Sequence, residues 1–231
     1  MTDFNRTPEA QEVFKEKRKP KGPIKFKLSL NEEQKEAKEL ILQTPITLVK
    51  GMAGSGKTLL ACQIALDLVF RKELDKLIIT RPTVSKEDIG FLPGGISEKM
   101  DPWLAPIYSN LYLLYDKVKI DKMIADGVIE IVPFAFMRGR TFPNSFIIVD
   151  ECQNMTLSQT EMMIGRLGKG GKMVFCGDGA QIDLNSKRSS GISFFNILEA
   201  RTSSVKIKSL KKNHRHEALE EILSIFEEHR D

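Results

Sequence analysis

Lys57 and Thr58 close the run Gly51-Met52-Ala53-Gly54-Ser55-Gly56-Lys57-Thr58, which fits G-x-x-x-x-G-K-S/T. Glycines at this spacing let backbone N–H groups curl around phosphate oxygens, and a helix opening at Lys57 adds the positive end of its dipole. Lys57 then reaches the β- and γ-phosphates, the Thr58 hydroxyl ligates Mg²⁺, and Leu59 ends the nucleotide-contacting stretch. Asp150 and Glu151 follow the apolar run Phe146-Ile147-Ile148-Val149. Asp150 is placed to hold Mg²⁺ through water, and Glu151 to orient or deprotonate the attacking water. Gly177, Asp178 and Gln181 form a third group behind another apolar run. There Gln181 senses the γ-phosphate and positions water, or the stretch is only a tight turn after a strand. Asn31 and Gln34 stand ahead of all these at a helix-start spacing, and a glutamine amide offers adenine both a donor and an acceptor. The expected chemistry is binding and hydrolysis of ATP·Mg²⁺.

Such groups must be held at strand ends. Residues 46–50 are a short β-branched run leading into the glycines, and residues 57–70 carry apolar residues at helical spacing. Residues 77–80, 128–134, 146–150, 173–176 and 205–210 have the length and composition of strands. Residues 110–125, 158–167, 190–201 and 216–229 have those of helices. Their alternation predicts crossover units around a mostly parallel sheet, an α/β fold with helices on both faces. Residues 85–106, with Pro93, Gly94, Gly95, Pro102 and Pro106, are expected to be an irregular insertion. Residues 1–27 interleave Lys15, Lys17, Arg18, Lys19, Lys21, Lys25 and Lys27 with Pro20, Gly22 and Pro23. That is the composition of a basic flexible arm ahead of one domain over 28–231.

A length of 231 residues suits a single large domain able to bury a core. No apolar run approaches the ~20 residues of a membrane span, and the N-terminus has no apolar signal core, so the expected compartment is cytoplasmic. Cys62, Cys152 and Cys176 are an odd set without paired spacing, expected to be buried, reduced thiols. A net charge of +4 permits an anionic partner without requiring one.

With these residues in view, the chain resembles the PhoH family, whose ATPase core is similar to one RecA-like P-loop motor domain of superfamily 1 helicases. The resemblance runs from about Leu28 to about Phe226. Besides the two nucleotide motifs it rests on Thr80-Arg81-Pro82, Gly90 to Pro93-Gly94, Glu98 to Pro102, Met137-Arg138-Gly139-Arg140-Thr141, Asp150 to Asn154, Gly177-Asp178 with Gln181-Ile182-Asp183, and Arg215-His216. It implies adenine recognition by Gln34, a phosphate sensor at Gln181 and an arginine finger at Arg215, with ATP and Mg²⁺ bound as above. After Arg215-His216 the chain departs from the family's pattern, with Glu217-Ala218 where Pro-Leu is expected. Some longer members carry a nuclease domain, for which no room is expected here.

A superfamily 1 motor closes two domains over its nucleotide, so a homo-oligomeric ring, a hexamer for example, is the expected source of the second wall. Arg215 then reaches a neighbouring subunit, or is only an exposed helix-start arginine. For single-stranded RNA or another nucleic acid, Arg81, Arg138 and Arg140 are the expected track, with Lys86 and the arm as further candidates. Trp103, Tyr108, Tyr112 and Tyr115 offer aromatic faces, although the three tyrosines, at helical spacing, fit core or oligomer contacts better. Three function classes follow: an ATPase acting on nucleic acid, an ATP-dependent switch binding a ribosome or protein partner, and a small-molecule kinase. The last lacks the lid-like arginine cluster it would need.

Overall fold

Successive side chains in a strand point to opposite faces, and here both faces are apolar, as a sheet covered on both sides requires. A computed structural model describes residue 26, residues 28–82, 96–184 and 190–214, and residues 222 and 225, with the backbone alone for 96–103. Strands β1 (Ile46–Lys50), β2 (Lys76–Thr80), β3 (Ile129–Ile131), β4 (Ser145–Val149), β5 (Lys172–Gly177) and β6 (Val205–Ser209) form one six-stranded sheet. Its order is β3-β2-β4-β5-β1-β6, and every pairing is parallel. Val49 lies beside Cys176 and Lys208, and Ile148 beside Ile79 and Val174.

The period of two sorts the core. Val49, Leu77, Ile79, Phe146, Ile148, Val174 and Cys176 pack against α1 (Glu32–Gln43), α2 (Lys57–Phe70), α3 (Ile96–Leu114) and α4 (Lys117–Ala125). Leu48, Ile78, Ile147, Val149, Met173 and Phe175 meet α5 (Leu157–Ile164) and α6 (Phe194–Arg201) through Met163 and Phe195. Phe175 and Phe195 make an edge-on ring contact at 4.8 Å. The fold is therefore the expected RecA-like arrangement of a parallel sheet between two helical layers. Phe26 already packs against the first cluster.

Some boundaries are corrected. The single helix expected over 110–125 is two helices, because Asp116 caps α4 by accepting the Lys119 N–H at 3.1 Å. The preceding helix, α3, begins at Ile96, inside the stretch expected to be irregular. Pro102 and Pro106 each remove one helical hydrogen bond, at about 3 kcal/mol in an ordinary helix interior. Burial of Ile107, Leu111 and Leu114 on one face offsets that cost. The strand expected to reach residue 134 stops at Ile131, and Pro133 leads into a 3₁₀ turn, Phe134–Met137. The helix expected over 216–229 falls outside the described residues except at Ile222 and Ile225, which are helical and exposed. Cys62, Cys152 and Cys176 are buried and free, as expected.

Because β5 lies between β4 and β1, the carboxyl ends of these three strands stand side by side. All three sequence motifs leave the sheet there.

Candidate active site

β1 is buried from Ile46 to Val49 and delivers Gly51 to the sheet rim. The Gly51 N–H donates to the Gly177 carbonyl at 3.2 Å, fastening the loop to the end of β5. Gly56 caps α2 with φ +81°, a left-handed conformation in which a Cβ would also meet Gln34 Nε2 at 3.0 Å. Lys57 Nζ donates to the carbonyls of Gly51 and Met52 at 2.5 and 2.9 Å, which holds the ammonium at the mouth of the loop. Ser55 Oγ is buried and has no hydrogen-bond partner among the described residues, an orphan in a loop otherwise well bonded.

Thr58 Oγ1 donates to Asp150 Oδ1 at 2.6 Å, joining the start of α2 to the end of β4. Asp150 is buried, and burial raises its acid above the ordinary carboxylate range. The Thr58 hydroxyl and the Arg81 cation oppose that rise, and the neighbouring Glu151 charge adds to it. Glu151 has φ +52° and ψ +39°, a left-handed conformation costing a non-glycine residue about 1–3 kcal/mol and typical of functional turns. Both its carboxylate oxygens are engaged. Oε2 accepts from Gln153 Nε2 at 2.6 Å, and Oε1 lies 3.7 Å from Arg81 Nη2.

Gln153 is 1% exposed, and its Oε1 accepts the Asp178 N–H at 3.1 Å. One buried amide thus ties the Glu151 carboxylate to the end of β5. Asn154 and Asp183 exchange two bonds, at 3.1 and 2.8 Å, and Ser190 Oγ donates to the Gln153 carbonyl at 2.6 Å. The segment after Glu151 therefore clasps the loop that carries Gln181. Gln181 itself is exposed, with its N–H donating to the Asp178 carbonyl at 3.1 Å, and it does not line the cleft.

The cleft has a volume of about 750 Å³. The phosphate loop, Arg81, Asp150 and Glu151 line one part of it, and Leu28–Asn31 with Gln34 line another. Gln34, expected to read adenine, has its amide 3.0 Å from where a Gly56 Cβ would stand and uses it in a capping box with Asn31. Pro106, Ser109, Asn110 and Leu113 of α3 supply a wall that the sequence did not announce, and His214 also lines the cleft. In the sequence, Gln153 and Asn154 stood one cysteine beyond the strand-end Asp-Glu, inside a stretch that carries the family resemblance but assigned them no role.

The expected nucleic-acid track is redistributed. Arg81 faces Glu151 in the cleft. Arg140 donates to Glu130 at 2.6 Å and lies 4.6 Å over the Phe142 ring, so it braces the β3 edge. Arg138 is exposed. Tyr108 stacks on Tyr112, and Tyr115 meets Phe70 at 4.8 Å, in keeping with helix packing. Arg215, Lys86, the arm as far as residue 25 and the Trp103 side chain lie outside the described residues.

A family model described as PhoH-like protein matches residues 28–227. Over 160 residues the chain is 44% identical to a PhoH-like protein of Synechocystis sp., which covers 69% of this chain and 49% of that protein. Over 169 residues it is 38% identical to Protein PhoH of Escherichia coli, covering 72% and 48% respectively. The chain spans about half the length of the curated relatives it matches. Among solved structures, the large terminase of a thermophilic bacteriophage aligns with TM-score 0.54 and 9% identity, over 85% of this chain and 50% of that one, a likeness of fold. The family match leaves no residue of the cleft outside it, and the chain belongs to the PhoH-like protein family.

Proposed function

We propose that the chain hydrolyses ATP·Mg²⁺ in this cleft and couples the reaction to single-stranded nucleic acid, RNA in the first instance, as a homo-oligomer. The observation that carries the hydrolytic half is the 2.6 Å bond from Thr58 to Asp150, with Lys57 and Glu151 adjacent in the chain. A hydroxyl and a buried carboxylate are the hard oxygen donors Mg²⁺ takes, and two of them leave its other positions to phosphates and water. Thr58 and Asp150 would hold the ion, which when bound neutralises charge on the phosphate oxygens. The loop N–H groups and Lys57 bind the phosphate chain, and the orphaned Ser55 hydroxyl fits an oxygen-rich ligand. Glu151 accepts the proton of the attacking water, oriented through its bond to Gln153.

Glu151→Gln keeps size and hydrogen bonding but cannot take that proton. It should bind ATP normally and hydrolyse it about 10²–10⁴ times more slowly, as read by single-turnover kinetics beside a binding titration. Unchanged turnover would assign water activation to another group.

The nucleic-acid half draws on the family resemblance and on Phe136 and Arg138, both exposed beyond β3. An aromatic face and a cation two residues apart suit a stacked base and its phosphate. Single-stranded RNA should stimulate the ATPase, and the concentration needed should rise steeply with salt. Absence of stimulation at low salt would favour a nucleotide switch that binds a ribosome or protein partner.

A further inference from the structure

The segment after β6 runs beside the phosphate loop. The Leu210 N–H donates to the Lys50 carbonyl at 2.8 Å, and those of Lys211 and Lys212 donate to Glu33 Oε2 at 3.0 and 3.3 Å. The His214 N–H donates to the Gly54 carbonyl at 3.1 Å. These bonds fix the backbone and bring the His214 imidazole into the cleft, at the first turn of α1.

There the capping box decides the chemistry. Asn31 Oδ1 accepts the Gln34 N–H at 2.8 Å, and Gln34 Oε1 accepts the Asn31 N–H at 3.1 Å, so neither amide is free to flip. Both NH₂ groups meet the same atom. His214 Nε2 lies 3.0 Å from Asn31 Nδ2 and 3.5 Å from Gln34 Nε2. Two donors on one ring nitrogen make Nε2 the acceptor and assign the ring proton to Nδ1. An imidazole with an acceptor nitrogen has the shape and polarity of the five-membered ring of a purine, whose N7 is the corresponding acceptor.

We propose that His214 is a built-in occupant of the base subsite: its imidazole holds the two amides where the N7 edge of a purine nucleotide binds, and the nucleotide enters by displacing it. This rests on the nucleotide-site reading above and adds Asn31 to Gln34 as a base contact. The His214 side chain is exposed, so rotation can remove it while the backbone bond to Gly54 stays. The second lone pair of Gln34 Oε1 remains for the N6 amine of adenine.

Calorimetric titration of the full chain with Mg²⁺ present tests the inference. His214→Ala should bind ATP about two- to tenfold more tightly than the wild type, the effect of removing roughly one competing hydrogen bond. His214→Gln keeps an acceptor and should stay near the wild type. Tripolyphosphate, which has no base, should bind all three proteins alike. 7-Deaza-ATP, with carbon in place of N7, should bind each more weakly than ATP does. Equal or weaker ATP binding by His214→Ala overturns the proposal, as does a gain that extends to tripolyphosphate. Equal affinity for ATP and 7-deaza-ATP overturns the N7 assignment. His214→Val, which fills the space without an acceptor, repeats the test if the alanine variant melts lower. A wild type that binds neither ATP nor tripolyphosphate removes the site itself, a pattern distinct from a site that binds both and ignores His214.

Discussion

At the scale of single residues, Asp150 is a carboxyl whose burial works against its charge. Burial raises its acid, so the folded state resists ionising it. The sign follows: the stability this group contributes is complete below the unfolded carboxylate range and is lost as pH rises through the raised value. Asp150→Asn keeps the shape and an acceptor for Thr58 while removing the charge. Without nucleotide at pH 8, this variant should melt about 2–4 °C above the wild type, with the gain shrinking as pH falls. It should also lose the Mg²⁺-dependent part of its nucleotide affinity. Thermal scans with and without Mg²⁺·ATP read both effects, and a lower midpoint would mean that Thr58 and Arg81 more than offset burial.

At the scale of elements, the junction between the end of β5 and the turn after Glu151 is tightly packed. A Cβ on Gly177 would stand 2.6 Å from Cys152 Sγ and 3.0 Å from Ile192 Cδ1. Gly177→Ala should therefore destabilise the fold by about 1–3 kcal/mol in denaturant titrations. Adding Cys152→Ala removes the closest atom and should restore part of that loss, a non-additivity expected only if the two residues touch. Local pattern made much of this layer legible. β1 and α2 were readable to the residue, because a β-branched run, a glycine turn and a helical apolar period are all local signals. The start of α3 was not, since Pro102 and Pro106 argue locally against a helix that only tertiary burial of Ile107, Leu111 and Leu114 sustains. Lys57, Thr58 and Asp150 were legible for the same local reasons, and Glu151 was legible as a residue but not as a left-handed turn. The engagement of Arg81 with Glu151, and of His214 with Asn31, joins residues far apart in sequence and leaves no local trace.

At the scale of the whole molecule, both sheet edges are guarded against stray pairing: β3 is three residues long, and β6 carries Lys206 and Lys208. Assembly should therefore use other surfaces, and the proposed ring can be tested through Arg215. Lys57→Ala and Arg215→Ala should each be nearly inactive alone. Mixed after verified subunit exchange, they should recover part of the ATPase, because some interfaces would pair an intact Lys57 with a neighbour's intact Arg215. Exchange without recovery would confine Arg215 to its own chain. The strand order also bears on how the protein is made. Ile46 of β1 takes its neighbours from Met173 and Val205, so the strand carrying the phosphate loop leaves the ribosome long before either partner does. During that interval its apolar run is an unpaired template exposed to chaperones, and the loop behind it has no Gly177 carbonyl or His214 N–H to shape it. A nascent chain stalled short of β6 lacks one neighbour of β1 and the His214 N–H, so a loop shaped for phosphate is expected only once β6 has left the ribosome.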